Sequence, residues 1–465
     1  MKSAKELKKE LFNDFPNGYK TMQEAELKEA DAFAQKYMAF LQKNKTERET
    51  VESTIEILEK NGFTAFDESG KTKYSAGDKI YKNQRGKALI AAVIGEEPIE
   101  NGVKIAISHI DSPRLDLKPM PAYESDEMAF FKTHYYGGIK KYQWTAIPLS
   151  LHGVICKTNG ETITVNIGED KGDPQFVITD LLPHLAQEQM KRDASKIVQA
   201  EELNVLIGSV PFKDDEESEL VKLNILNILY EKYGVKERDF LSAELCVVPA
   251  FEVREIGFDR SFIGGYGHDD SVCAYPAMMA LIDCDKPRKT MLTVFADKEE
   301  TGSDGDTGMQ GAFLKYFIAD LARPYGFDGR DVMKNSSCLS ADVNAGYDPT
   351  FGDVQDKRNC AFINHGVCVT KYTGHGGKYG SNDASAEFMC EVRKILDETK
   401  VVWQIGEMGK VDNGGGGTVA KYVSMMDIRT VDIGVPVLSM HAPYEIISKV
   451  DLYAAYRAFL EYFKA

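Results

Sequence analysis

The sequence predicts an α/β protein whose two halves are separated by a β-rich insert. Three observations carry that expectation. The run Met291-Leu292-Thr293-Val294-Phe295-Ala296 is short, apolar and partly β-branched, which reads as a buried strand. It ends directly in Asp297-Lys298-Glu299-Glu300-Thr301-Gly302-Ser303, a loop that contains glycine. Between 114 and 252, hairpin signals replace the mixture of strands and amphipathic helices found on either side. Adjacent carboxylates at a strand's C-terminal end are expensive to bury without a positive charge between them. In open α/β sheets that edge is also where ligands bind. An exposed acidic loop is the plain alternative; a metal ligand beside a general base is the functional one.

A chain of 465 residues exceeds one ordinary core, so at least two domains are expected. The boundaries read from the sequence are 1–113 and 253–465 for the two parts of the α/β domain, with 114–252 between them. Net charge is −16 with no block of Lys or Arg, which argues against nucleic acid and anionic membranes as partners. Residues 1–10 lack the apolar core of a signal peptide, and the apolar run 88–94 is too short to span a bilayer. The eight cysteines include no Cys-x-x-Cys pair, so a reducing, cytoplasmic setting is expected rather than a disulfide framework.

In chain order, Thr46-Glu47-Arg48-Glu49 predicts a capping box. Val51, Ile55 and Leu58 then follow helical spacing, with Asn61-Gly62 as the left-handed stop. Strands are expected at 87–94 and 103–108, the second running into His109-Ile110-Asp111-Ser112-Pro113. Within the insert, 153–157 and 162–167 form a hairpin pattern about Asn159-Gly160. Pro183-His184-Leu185 precedes a Gln-, Lys- and Glu-rich stretch that reads as helical, and 220–233 is an apolar helix stopped by Gly234. Downstream, a glycine-rich loop containing His268-Asp269-Asp270 leads into a helix over 272–281. A strand at 339–344 carries Asp342 near its end, 431–436 leads to Met440-His441, and an amphipathic helix over 449–463 closes the chain.

His109, Asp269, Glu300, Asp342 and His441 thus stand at or near strand ends. Two imidazoles with three carboxylates suit zinc, manganese or cobalt better than magnesium or calcium. Three carboxylates offset most of the charge of two divalent ions, and ions ~3.5–4 Å apart need a shared ligand. Asp269, at a loop-to-helix junction, is the best placed to share. In a strand, His109 and Asp111 would lie on one face, so the acid can orient the imidazole. Singly, each residue has an ordinary alternative: a core histidine, a turn-capping aspartate, a helix N-cap.

The segments His109-Ile110-Asp111-Ser112-Pro113, Pro183-His184-Leu185-Ala186, His268-Asp269-Asp270, Glu299-Glu300-Thr301-Gly302, Ser340-Ala341-Asp342 and Met440-His441 together resemble the aspartyl aminopeptidase family. That family lies within the wider group of co-catalytic two-metal aminopeptidases, and the resemblance spans nearly the whole chain. It implies a mixed-sheet, zinc-peptidase-like catalytic domain whose β-rich insert pairs subunits. One metal would be held by Asp269, Glu300 and His441, the other by His109, Asp269 and Asp342. Glu299 would be the general base and Asp111 the orienting acid. The family usually reads Asp-Asn where this chain has Asp269-Asp270.

The function so implied is a metallo-aminopeptidase that removes N-terminal, preferably acidic, residues from peptides through a water bridging two divalent ions, zinc foremost. Lys371, Lys378 and Tyr379 lie in the stretch resembling the family's substrate pocket, and a lysine there would pair with an acidic side chain. His184 matches the histidine that reaches a neighbouring subunit's site, where it would stabilise charge developing on the carbonyl oxygen. Dimers assembling into a dodecamer are the expected partners. The alternatives are a two-metal deacylase of N-acyl amino acids and a non-catalytic metal-binding assembly subunit. A spare base at Glu299 argues against the latter.

Overall fold

A computed structural model describes residues 2–213 and 217–465. Its centre is a nine-stranded mixed sheet. The strands lie in the order Thr64–Ala65, Lys79–Gln84, Ala88–Val93, Met291–Ala296, Lys104–His109, Ser337–Ala341, Arg429–Gly434, Val367–Thr370 and Trp403–Ile405. The four strands from Met291–Ala296 to Arg429–Gly434 are parallel neighbours, with Ala296 in register with His109 and Ala341 with Ile433. Their C-terminal ends therefore open side by side on one edge.

Successive side chains of a strand point to opposite faces, and here both faces are covered. Leu89, Ala91, Val93, Ala106 and Phe295 pack with residues of the helices Glu24–Lys43, His268–Ile282 and Lys449–Lys464. Ile90, Ala92, Ile105, Ile107, Leu292 and Val294 face the helix Phe313–Ala322 on the other side. Burial on both faces explains why Met291–Ala296 reads as an unbroken apolar run rather than an alternating one. The α/β class follows.

Strands between Arg114 and Pro249 form a separate seven-stranded sheet in which every pairing is antiparallel. It has its own core around Trp144, Leu149 and Val247. Leu149–Cys156 and Thr162–Ile167 pair as the hairpin, with Gly160 in the turn at φ +89°. A third sheet of five short strands sets Gly265 opposite Glu445. It thereby draws the turn after Pro436–Leu438 toward the start of the helix His268–Ile282.

Several local expectations are revised. Thr46 caps the helix Glu47–Lys60 by accepting from the Glu49 amide, but the Glu49 carboxylate takes the Lys45 amide instead of closing the box. The polar stretch after His184 forms three short 3-10 turns, Gln189–Lys191, Ala194–Lys196 and Ala200–Glu202, and no α-helix. It offers no apolar stripe to bury, and an isolated helix of that length is marginal in water. The strand Lys104–His109 ends before Asp111, and Ser337–Ala341 ends before Asp342, so both acids sit in the loops beyond. Among the described residues, no helix is long and apolar enough to cross a membrane.

Candidate functional site

The open edge of the parallel strands gathers the chemistry. His109 ends one strand, Glu299 and Glu300 follow its neighbour, and Asp342 follows the strand on the other side. Asp269 enters from the start of the helix His268–Ile282, and His441 from the turn tied to it by the small sheet. Glu445 makes that tie direct. Its buried carboxylate accepts the His441 amide at 2.7 Å and the Asp269 amide at 3.1 Å. His441 itself is held at φ +62°, a left-handed conformation that costs a non-glycine residue energy and is typical of functional turns.

The geometry divides around Asp269. Its Oδ1 lies 3.1 Å from His109 Nε2, and its Oδ2 lies 3.3 Å from His441 Nε2. Asp342 Oδ1 is 3.8 Å from the same nitrogen of His109, and Glu300 Oε2 is 3.5 Å from that of His441. Both rings are oriented through Nδ1, which donates to a backbone carbonyl: His109 to Asp111 at 2.9 Å and His441 to Gly138 at 2.8 Å. Each Nε2 is left facing carboxylate oxygens. The Asp111 carboxylate lies 3.3 Å from His109 Nδ1 and accepts the backbone amides of Glu299 and Glu300 and the hydroxyl of Tyr136.

These residues fit divalent metal. Tetrahedral zinc with bonds of 2.0–2.1 Å holds its ligand atoms about 3.4 Å apart, close to the separations just given. Among the described residues, Glu300 Oε1 is buried with no hydrogen-bond partner, an acceptor suited to a cation. Burial, with Asp342 close by, pushes Glu299 up to about 8, and burial beside Asp269 raises Glu300 well above the carboxylate range. Burial opposes charge on His441, yet hydrogen bonding to Asp269 and the proximity of Glu300 lift it to about 10. The site is short of positive charge, and its own groups respond by holding protons.

Asp269, Glu299, Glu300, Asp342 and His441 line a cleft of about 520 Å³, with His109 buried beneath it. Tyr379 and His375 form part of its wall, with Met408, Met440, Lys421 and Tyr422. Lys371 and Lys378 are not on that wall. Both turn to Asp383, Lys378 at 2.9 Å from Oδ2 and Lys371 on Oδ1. Both ion pairs are half-exposed and lie outside the cleft. Lys421, which the sequence reading passed over, makes no ion pair among the described residues. His184 is exposed on its loop and takes no part in lining the cleft of its own chain. Tyr136, Gly138 and Glu445 were also missed, having no motif to mark them.

Comparison with known proteins matches this arrangement to a family. The family profile described as aminopeptidase I zinc metalloprotease (M18) covers residues 40–463. The chain is 47 % identical over 461 residues to a protein of Clostridium acetobutylicum described as a probable M18 family aminopeptidase 1, covering 97 % of this chain and 99 % of that one. A Borrelia garinii protein of the same description is 43 % identical over 456 residues, covering 96 % of this chain and 99 % of its own. The crystal structure of an M18-family aminopeptidase from Thermotoga maritima superposes with a TM-score of 0.92 at 42 % identity, covering 97 % of this chain and 99 % of that chain. The family expected from the motifs is therefore the one found: this chain belongs to the aminopeptidase I zinc metalloprotease (M18) family, whose members are hydrolases of the peptide bond.

Proposed function

We propose that the protein removes the N-terminal residue of peptides, acidic residues preferentially, with two divalent ions per chain, zinc foremost. The division of Asp269, one oxygen toward each histidine and its partner acid, carries this reading. His109, Asp269 and Asp342 would hold one ion, and Asp269, Glu300 and His441 the other. When bound, the ions supply Lewis-acid polarisation of the scissile carbonyl and lower the pKa of the attacking water. The remaining steps belong to the chain. Glu299 takes the water's proton and returns it to the leaving amine. Asp111 fixes the loop that carries Glu299 through the amides of Glu299 and Glu300. The acidic cleft favours the cationic α-amine of a free N-terminus, and hence exopeptidase action.

Lys421 supports the acidic preference better than Lys371 or Lys378, because it lines the cleft and has no carboxylate partner among the described residues. The test is a zinc-loaded assay over aspartyl, glutamyl and leucyl anilides with their N-acetyl counterparts. Free-amine acidic substrates should turn over fastest. Preferential cleavage of the N-acetyl compounds would mean a deacylase, and no turnover would mean an assembly subunit. Lys421→Ala should cost acidic substrates roughly 10–100-fold in kcat/KM, the worth of a charge-assisted contact, and leave leucyl substrates alone.

The insert exposes Leu181, Leu182, Leu185, Leu223, Ile228 and Tyr230, which supports pairing of chains into a homo-oligomer, with dimers assembling into a dodecamer as the expected form. Exposed His184 then serves a neighbour's cleft. Mixing inactive Glu299→Gln and His184→Ala chains should regenerate one working site per mixed dimer. No recovery despite proven exchange would confine His184 to its own chain or remove it from the chemistry.

A further inference from the structure

The insert supplies none of the proposed metal ligands, yet its strand Met128–Tyr136 ends against two of the groups that surround them. Tyr136 donates its hydroxyl to Asp111 Oδ2 at 2.7 Å. Two residues on, the Gly138 carbonyl accepts from His441 Nδ1 at 2.8 Å. Gly137, between them, packs so closely that a Cβ would stand 3.1 Å from Glu300 Oε2 and 3.3 Å from Glu300 Cβ. Its φ of +72° is a left-handed value best suited to glycine. The segment is fastened from behind. The Arg114 guanidinium lies 4.2 Å from the centroid of the Tyr136 ring and pairs with Glu47 of the body at 2.8 Å.

We propose that Tyr136-Gly137-Gly138 is a positioning strap by which the insert sets the geometry of the catalytic centre. This inference rests on the two-metal reading above. His109 is oriented by the carbonyl of Asp111, within its own domain, whereas His441 is oriented by a carbonyl of the insert. When the ring loses its second proton as a divalent ion binds, an Nδ1–H committed to the Gly138 carbonyl leaves the lone pair on Nε2, so Gly138 selects the tautomer that can ligate. Among the described residues, Tyr136 is the one side-chain hydroxyl that donates to the Asp111 carboxylate, which also takes the backbone amides of Glu299 and Glu300 and lies 3.3 Å from His109 Nδ1. The strap therefore bears on both the base-carrying loop and a ligand. The seating of the insert is thereby coupled to metal loading.

Two substitutions separate positioning from bulk stability. Tyr136→Phe keeps the ring against Arg114 and deletes only the hydroxyl. Gly137→Ala pushes the strap off Glu300. Zinc affinity of metal-free protein is measured by competition with a chromophoric chelator, without substrate, alongside thermal unfolding of the same metal-free samples. Loss of an outer hydrogen bond typically costs 10–100-fold in metal affinity or activity. Gly137→Ala should weaken one of two zinc ions by about that factor and spare the other, with a loss of stability no larger than alanine at a left-handed φ carries by itself, whereas Tyr136→Phe, which leaves the backbone alone, should unfold as the unmodified protein does. Tyr136→Phe should lower kcat about tenfold with KM near that of the unmodified protein. Tyr135→Phe, at an exposed neighbouring position, is the control and should change neither. If Gly137→Ala fails to fold, Tyr136→Phe decides alone. Unmodified protein that binds two zinc ions, with both variants matching it in affinity and turnover, overturns the strap and leaves the two-metal reading standing. Unmodified protein that takes up no zinc overturns both.

Discussion

Two clusters of buried charge lie within the same chain, and they are built on opposite plans. At the seam between body and insert, His152 sits between Glu49, 2.7 Å from Nδ1, and Glu169, 3.1 Å from Nε2, while Lys45 reaches Glu169 at 2.9 Å. Ser150 and Asn166 donate to the same carboxylates, and Lys45 also donates to the Pro249 carbonyl. Two carboxylates meet two cations, and neutral side chains add a hydrogen bond to each. In the cleft, Asp111, Asp269, Asp270, Glu299, Glu300, Asp342 and Glu445 surround two imidazoles. The pKa directions follow. At the seam, burial pushes Glu169 up, but the His152 hydrogen bond and Lys45 outweigh it and hold the carboxyl at about 2. In the cleft, burial and like charge raise Glu299, Glu300 and Asp342. A self-balanced buried cluster is structural; one short of positive charge is built for cations from solution.

The contrast can be broken from either side. The largest effect is expected on stripping divalent ions: a strong chelator should abolish anilide hydrolysis, and zinc, manganese or cobalt should restore it. Full turnover by metal-free protein would end the two-metal account. Next comes Glu299→Gln, which should lower kcat by ~10²–10⁴, the usual worth of a general base, while the protein keeps its zinc. Near-normal turnover would remove Glu299 from its role.

The seam answers to different measurements. His152→Ala takes the imidazole from half-buried Glu49 and leaves Glu169 with Lys45 and Ser150, a loss of at most about 3–5 kcal/mol, the cost of breaking a fully buried pair. Urea unfolding should show that loss with zinc content unchanged. A fall in zinc content with stability intact would erase the distinction between the clusters. The smallest effect concerns pH. Glu169 has a depressed folded value, so its contribution is complete above the unfolded value of about 4.3 and fades as pH falls toward its folded value. His152 has a raised value, so its contribution is complete below about 6.5 and fades as pH rises through that raised value. The stability lost in His152→Ala should thus be greatest between those limits and shrink in alkali. A loss that grew with rising pH would contradict the assignment.

How far this was legible in the sequence depended on locality. Met291–Ala296 declares itself by composition, and the acids after it by adjacency, so the strand and the loop that bears them were readable. His109, Asp269, Asp342 and His441 stand near strand ends or helix starts, positions that short motifs encode. Gly138 is 303 residues from the His441 ring it orients, and Glu445 meets the Asp269 amide across 176 residues, so only the fold creates those contacts. The helix Glu24–Lys43 was also unanticipated, because its apolar residues gain their meaning from the helix Lys449–Lys464 at the far end of the chain. Lys371 and Lys378 teach the converse. Asp383, five residues beyond Lys378, was in plain view as the carboxylate that would claim them.

The central claim, that an unbalanced acidic cluster divides around Asp269 to hold two ions, is tested most directly by titrating metal-free protein with zinc in a calorimeter. Two equivalents per chain are predicted, falling to one in His441→Ala and to none of comparable affinity in Asp269→Ala. A single equivalent in the unmodified protein, or two retained after Asp269→Ala, would contradict it.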